Sequence, residues 1–151
     1  MPEEEKTTPE TKRIPPVVEP LYSYQEAEKW LQDNSGKQFL SKTGKPVLLL
    51  EGDWRHVIDD HDDDVAQERW IVAAGIKEIV ENPVFVRDAL YKGQPATYFV
   101  GSVLVAGETR TTVLLVSTGD PGDGILRLKT WFVLRSLEHA RKYLDRVSEK
   151  P

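Results

Sequence analysis

The spacing of apolar residues changes near the middle of the chain. Between Val65 and Ile79, apolar side chains recur every three or four residues, which is the period of a helix with one buried face. After residue 84, short apolar or alternating runs are separated by turn-forming residues, a pattern typical of strands joined by tight connections. The pattern therefore predicts helices in the first half and a run of strands in the second.

Capping residues set the helix boundaries. Ser23 and Glu26 form a capping box, in which each can bond the other's backbone N–H. An aspartate run, 62–64, lies at a helix start, where the helix dipole favours negative charge. The predicted helices are 24–33, 54–60 with Asp53 as N-cap, 64–81, and a last helix capped by Ser136.

Turn sequences set the strand boundaries. The segments "AGETR" and "TGDPGDG" separate three runs, and such short connections make neighbouring strands antiparallel. The run from Val47 to Leu50 is either another strand or a buried extended segment outside the main sheet. The predicted strands of the second half are 84–91, 96–106, 111–118 and 125–135.

The order of elements predicts an α+β fold. We expect helices packed on one face of a three- to four-stranded antiparallel meander, in a single domain over residues 21–151. Residues 1–20 contain five prolines and little to bury. Burial cannot offset the entropy lost on ordering such a segment, so we predict a disordered tail.

Composition excludes several classes of protein. The 151 residues include no cysteine, which rules out disulfides, zinc–thiolate sites and thiol catalysis. No apolar run approaches the roughly 20 residues of a membrane helix, and the acidic, Pro-rich N-terminus is unlike a secretory signal. We therefore expect a cytoplasmic protein that has no membrane contact and needs no cofactor.

Charge is unevenly distributed about the net value of −5. Residues 21–83 carry 13 acidic and 7 basic side chains, whereas residues 84–151 carry 7 acidic and 10 basic ones. The mildly basic second half is suited to facing phosphate groups, although small domains also show such asymmetry by chance. RNA is accordingly one candidate partner, and another protein is the second.

Alternation assigns two faces to the strand predicted over 125–135. Thr130 falls on the apolar core face, where its hydroxyl either bonds the backbone or lines a cleft near the His56 helix. The opposite face interleaves basic residues with an aromatic, which suits phosphate binding and base stacking unless it is an ordinary mixed face under the last helix. Its members are Arg127, Lys129, Trp131 and Arg135.

The stretch "WRHVIDDHDDD" concentrates ionisable residues. A histidine can take the 2′-hydroxyl proton in RNA cleavage while an acid protonates the leaving oxygen and a cation stabilises the phosphorane. His56 and His61, with Arg55, Lys129 and Thr130, supply these types of group. Because the histidines are five apart, they converge only if the helix ends between them.

Two other interpretations of this stretch remain open. Histidines and aspartates resemble a carboxylate-rich manganese or magnesium site, but no established metal-motif spacing is present, and we predict no metal. The stretch is also consistent with a solvated helix junction. His139, in the last predicted helix, is interpreted as a surface or interface residue.

Several segments together resemble a known family. "WRHVIDDH", "RWIVAAGIKEIVENPVFV", "ATYFVGSVLV", "TTVLLVST" and "LKTWFVL", over about residues 50–135, resemble phage-associated nuclease-like domains of the barnase–EndoU–colicin–RelE fold. The resemblance implies a metal-independent, often toxin- or phage-linked ribonuclease. It makes His56 the leading acid–base candidate, places Thr130 on the phosphate, and gives His61 a secondary role. The aspartates around His61 depart from the expected basic surroundings.

Two hypotheses about function follow. The first is a ribonuclease-like domain that acts on RNA without metal. The second is a non-catalytic domain of the same fold, which binds a protein through the basic strand face or the acidic helix junction. Geometry separates the two, because catalysis requires His56 and Thr130 to share an open cleft with a cation.

Overall fold

The computed structural model describes residues 16–59, 63–105, 109–119 and 124–148. Within these residues the fold is α+β, as predicted. The helices are α1 (Tyr24–Asn34), α2 (Glu51–Asp59), α3 (Asp63–Val72), α4 (Ile76–Glu81) and α5 (Leu137–Ser148). The strands are β1 (Val17–Val18), β2 (Gln38–Leu40), β3 (Pro46–Leu48), β4 (Phe85–Tyr91), β5 (Gln94–Val105), β6 (Thr109–Thr118) and β7 (Leu126–Leu134).

The sheet is larger than the predicted three- to four-stranded meander. In the described part of the chain it has seven strands in the order β1-β5-β6-β7-β3-β2, with β4 also paired to β5. Strands β4 to β7 do form an antiparallel meander, but β1 and β3 join it in parallel. Of the two interpretations of the run from Val47 to Leu50, the structure shows a strand, β3, which belongs to the main sheet. Strands β1 and β2 have only two or three residues each, which is too short for a recognisable alternation.

Helices cover both faces of the sheet, so the prediction of one covered face is wrong. Phe99 and Val103 of β5 pack in the core beneath α1, α2, α3 and α4. Tyr98 and Val100 of the same strand pack in a second core with α5. A strand buried on both faces is apolar at consecutive positions, which explains the continuous apolar runs in β5 and β6.

The helix predicted over 64–81 is interrupted. After α3 the chain forms a 3-10 turn, Ala73–Gly75, and then continues as α4. A Cβ on Gly75 would lie 3.1 Å from the side chain of Val103, so this turn contacts the sheet more closely than a larger residue allows. On β5, a Cβ at Gly101 would lie 3.0 Å from Ile79 of α4. Two glycines therefore let the interrupted helix pack directly on β5.

The helix caps are mostly as predicted. The Ser23 hydroxyl accepts from the backbone N–H of Glu26 at 3.1 Å, and the Ser136 hydroxyl caps α5. The Glu26 carboxylate accepts from the N–H of Tyr22 at 2.9 Å, one residue before the predicted donor, Ser23. Asp53 is different, because α2 begins at Glu51 and Asp53 lies in its first turn instead of at the N-cap. This position turns the Asp53 carboxylate toward the sheet, where it has ionic partners.

The N-terminal segment predicted to be a tail lies largely outside the described residues. Its last part includes β1, in which Val18 is buried and Val17 is exposed. The backbone N–H of Leu104 donates to the carbonyl of Pro16 at 2.9 Å. The described fold therefore begins before residue 21.

A β-bulge in β7 changes the predicted faces of that strand. Val116 pairs with Thr130 but Ser117 pairs with Leu128, so Lys129 is an extra residue without an opposite partner. Leu128 and Trp131 consequently pack in the same core layer although they are three residues apart. The indole of Trp131 is fully buried, so the predicted base-stacking face around it is wrong.

Candidate functional site

A cleft of about 770 Å³ lies between α2, α3 and one end of the sheet. Its wall brings His56 of α2 together with Thr130 of β7, the two residues singled out from the sequence. The β4–β5 turn and the end of β6 complete the wall. The lining residues are Asp53, His56, Val57, Arg69, Tyr91, Lys92, Gln94, Thr118, Lys129, Thr130 and Phe132.

Helical periodicity places His56 on the cleft. Trp54, Val57 and Ile58 of α2 are buried in the core, and this leaves His56 on the exposed side of the helix. Asp53, one turn earlier, faces the same cleft. The imidazole is therefore accessible to a ligand while its helix is anchored by apolar packing.

A buried carboxylate holds two cations at the cleft edge. Asp53 is only 6% exposed, and it accepts hydrogen bonds from Lys129 at 2.9 Å and from Arg127 at 3.1 and 3.2 Å. Two positive charges meet one negative charge, so the cluster has a net charge of +1. Because the bulge places Lys129 beside Asp53, the ammonium group is held on the cleft wall.

Arg69 adds a second cation to the wall. It is 6% exposed, and burial lowers the pKa of its guanidinium. An arginine nevertheless keeps its charge in proteins. The guanidinium carbon lies 4.9 Å from the ring centre of Phe132, and the Arg69 carbonyl accepts from the Trp131 indole at 3.1 Å. Contacts with β7 therefore fix this residue of α3 on the cleft wall.

The β4–β5 turn presents polar side chains to the same space. Lys92 has φ of 50° and Gly93 has φ of 79°, the left-handed pair that two-residue hairpin turns require. The Lys92 ammonium lies 5.4 Å from the ring centre of Tyr91. Because Gln94 follows on the same wall, the turn contributes an aromatic ring, an amide and a cation.

Thr130 is a lining residue of the cleft. The residue is 8% exposed, and Thr118 of the neighbouring strand lies on the same wall. A threonine hydroxyl can donate to an anionic oxygen or accept from a substrate hydroxyl. Of the two sequence interpretations of Thr130, the structure shows the one in which it lines a cleft.

Other residues selected from the sequence lie elsewhere. Arg55 is held by Glu28, Glu51 and the Tyr24 hydroxyl, and these bonds raise the pKa of its guanidinium. Its side chain therefore belongs to the α1–α2 contact and not to the cleft wall. Arg127 is paired with Asp53 and is not among the lining residues of the cleft. Arg135 is exposed beyond the end of β7.

His61 lies outside the described residues, as do its neighbours Asp60 and Asp62. Among the residues that the structure does describe, no group of three or more histidines and carboxylates is arranged to hold a metal ion. Within the same ranges, no helix combines the length and the apolar character needed to cross a membrane.

Sequence reasoning missed three parts of the site. Asp53 was interpreted only as a cap, and Arg69 was not selected. Arg69 did carry a signal, because a charged residue at a core-facing position requires a local reason. For Tyr91 and the turn that follows it, the sequence indicated a connection but not the cleft that the connection borders.

No family model, curated protein or solved structure matches the chain. The cleft chemistry therefore carries the functional argument. An exposed histidine, three cationic residues and three hydroxyl-bearing residues line one space large enough for a nucleotide. These groups can exchange a proton with a ligand and stabilise developing negative charge.

Proposed function

We propose that this protein is a nuclease-like domain of the barnase–EndoU–colicin–RelE type that cleaves RNA without a metal ion. One observation carries the proposal: His56, Lys129, Thr130 and Arg69 lie on the wall of a single open cleft. A proton acceptor and two cations on one wall are the groups that metal-free phosphodiester cleavage requires.

The proposed reaction starts at the ribose. His56 accepts the 2′-hydroxyl proton as that oxygen attacks phosphorus and forms a new P–O bond. The bond from phosphorus to the 5′ oxygen breaks, and in this proposal the departing oxygen takes a proton from the hydroxyl of Tyr91, a residue that lines the same cleft. The products are a 2′,3′-cyclic phosphate and a 5′-hydroxyl end. A DNA strand lacks the attacking hydroxyl, so the proposal is specific to RNA.

Charge stabilisation is assigned to Lys129 and Arg69. The phosphorane that forms during attack carries more negative charge on its non-bridging oxygens than the starting phosphate does. Lys129 is held by the buried Asp53 carboxylate and Arg69 by packing on Phe132, so neither cation must be ordered during the reaction. In this proposal Thr130 donates a hydrogen bond to the phosphate.

The protein-binding alternative receives less support. Its basic strand face depended on an exposed Trp131, which lies in the core. Arg127 is bound to Asp53, and Arg135 is separated from the cleft. The acidic helix junction that it offered as a second surface lies mostly outside the described residues.

An RNA-cleavage assay in EDTA tests the proposal. We expect the parent protein to cleave single-stranded RNA in EDTA and to leave matched DNA intact. Loss of a general base typically costs about 10²- to 10⁴-fold in rate, so we expect His56→Ala to reduce cleavage by this factor. The control is His139→Ala, since His139 lies on α5 away from the cleft wall.

Three outcomes would contradict the proposal. The first is absence of cleavage across RNAs of varied sequence by a folded parent protein. The second is cleavage that EDTA abolishes, which would point to a metal and to the aspartates near His61. The third is an equal loss in His56→Ala and His139→Ala, which would separate the activity from the cleft.

A further inference from the structure

A second cavity, of about 270 Å³, adjoins the cleft. Arg69 and Phe132 line both spaces and form the boundary between them. Beyond this boundary the wall is mostly aliphatic and aromatic, with Leu114 and Leu134 from the sheet and Tyr143 from α5. Glu68 of α3 adds one carboxylate to this wall. The second cavity is therefore continuous with the cleft but has a different chemical character.

The lining of this cavity fits a flat aromatic ligand. The rings of Phe132 and Tyr143 lie 6.4 Å apart and are inclined by 49°. The guanidinium carbon of Arg69 lies over the ring of Phe132, 4.9 Å from its centre. Aromatic rings and arginine planes are the surfaces on which proteins stack the unpaired bases of single-stranded RNA.

The positions of Thr130 and Phe132 along β7 relate the second cavity to the proposed cleavage site. Thr130 and Phe132 are two residues apart on the same strand beyond the bulge, so they are separated by roughly 7 Å. This separation is comparable to one nucleotide step of an extended strand. A nucleotide adjacent to a phosphate at Thr130 would consequently reach Phe132 and Tyr143.

We propose that the second cavity is a subsite for one base flanking the scissile phosphate of bound RNA. This inference rests on the function proposed above and names the part of the substrate that the second cavity binds. The base lies in the second cavity in contact with Phe132 and Tyr143, while Arg69 lies at the boundary with the main cleft, where the phosphate binds. Tyr143 then contributes to binding RNA and takes no part in proton transfer.

A binding experiment with a non-cleavable ligand tests the subsite. The probe is a trinucleotide RNA with a 2′-deoxyribose at the attacking position, since it lacks the nucleophile. Two further probes each lack one base, on the 5′ or the 3′ side of the scissile phosphate. Stacking contributes enough that we expect one of the two abasic probes to bind the parent about 10-fold more weakly.

Tyr143→Leu removes the ring but retains apolar volume next to the core, and its fold is checked by thermal unfolding. In this variant we expect the penalty for the missing base to fall to about 3-fold, because the base loses its contact with Tyr143 and keeps the one with Phe132. Tyr22→Ala serves as the matched aromatic control, since Tyr22 is 65% exposed and lines neither cavity. This control should retain the full penalty.

The outcomes separate the subsite from the catalytic proposal. The subsite is overturned if the parent binds all three probes equally, or if Tyr143→Leu keeps the full abasic penalty. Absence of cleavage with an intact base penalty would overturn the catalytic proposal alone. Cleavage that depends on His56 without any base penalty would overturn the subsite alone.

Discussion

Asp53 shows how one buried charge organises the candidate site. Its carboxylate lies in the interior, where an isolated ion is unstable, and it receives hydrogen bonds from Arg127 and Lys129. The exposed fractions of these two side chains are 48% and 34%, so water still solvates part of each cation. Asp53 is accordingly a positioning residue, which acts by fixing the ammonium of Lys129 on the cleft wall.

Replacement of Asp53 should weaken the fold and the site together. We expect Asp53→Asn to lower the free energy of unfolding by about 1–2 kcal/mol, because charge-assisted bonds are lost but both cations can turn to water. Urea denaturation measures this change. Glu138→Gln is the control, since Glu138 pairs with Lys142 on the open surface. A change of less than about 0.5 kcal/mol in both variants would contradict the assigned role.

Among the secondary-structure elements, the bulge in β7 determines which of that strand's side chains lie in the core and which line the cleft. A regular strand would have kept Leu128 and Thr130 on one face, but the unpaired Lys129 sends them to opposite faces. Bulges redirect single side chains at the margins of sheets. Here the redirected residues are a core indole, Trp131, and a cleft hydroxyl, Thr130.

The contact between α4 and β5 gives a prediction at the scale of elements. Gly101→Ala should lower the free energy of unfolding by about 1–3 kcal/mol, because the new methyl group would lie 3.0 Å from Ile79. Thermal or urea unfolding measures the loss. Gly52→Ala has no atom within 4 Å of the added Cβ, so we expect a change of about 0.5 kcal/mol or less. Similar values for the two variants would contradict the close helix–sheet contact.

At the scale of the whole fold, the described residues form a central sheet between two unequal layers of helix. Four helices cover one face and α5 covers the other, and the candidate cleft lies where this covering is incomplete. At the edge of the sheet, β1 pairs with the end of β5 next to β4. This short strand also brings Val18 against Gly75 at the interruption of the long helix.

Substitution of two neighbouring valines tests whether β1 packs at the edge of the sheet as described. Val18 is 5% exposed and Val17 is 67% exposed. We expect Val18→Ala to lower the free energy of unfolding by about 2 kcal/mol through lost burial and a residual cavity. Val17→Ala should change it by about 0.5 kcal/mol or less. Equal effects in urea denaturation would mean that β1 does not pack as described.

Local patterns in the sequence were sufficient for several conclusions. Periodicity predicted the α+β class, and turn residues predicted the meander of β4 to β7. The caps at Ser23 and Ser136 were equally local, because each involves atoms within a few residues. His56 and Thr130 were selected from residue type and a family resemblance. Their meeting on one cleft is observed, whereas their catalytic roles remain predictions.

Features that depend on contacts between residues distant in the chain were decided only by the tertiary structure. β3 pairs in parallel with β7, and helices cover both faces of the sheet. Both features join segments that no local pattern connects. The bulge at Lys129 arises from pairing with β6, so alternation within β7 alone assigned its faces wrongly. The cleft likewise depends on Asp53 of α2 and Arg69 of α3, whose partners lie on β7. Short-range preferences thus determined the elements, while long-range packing determined which side chains meet.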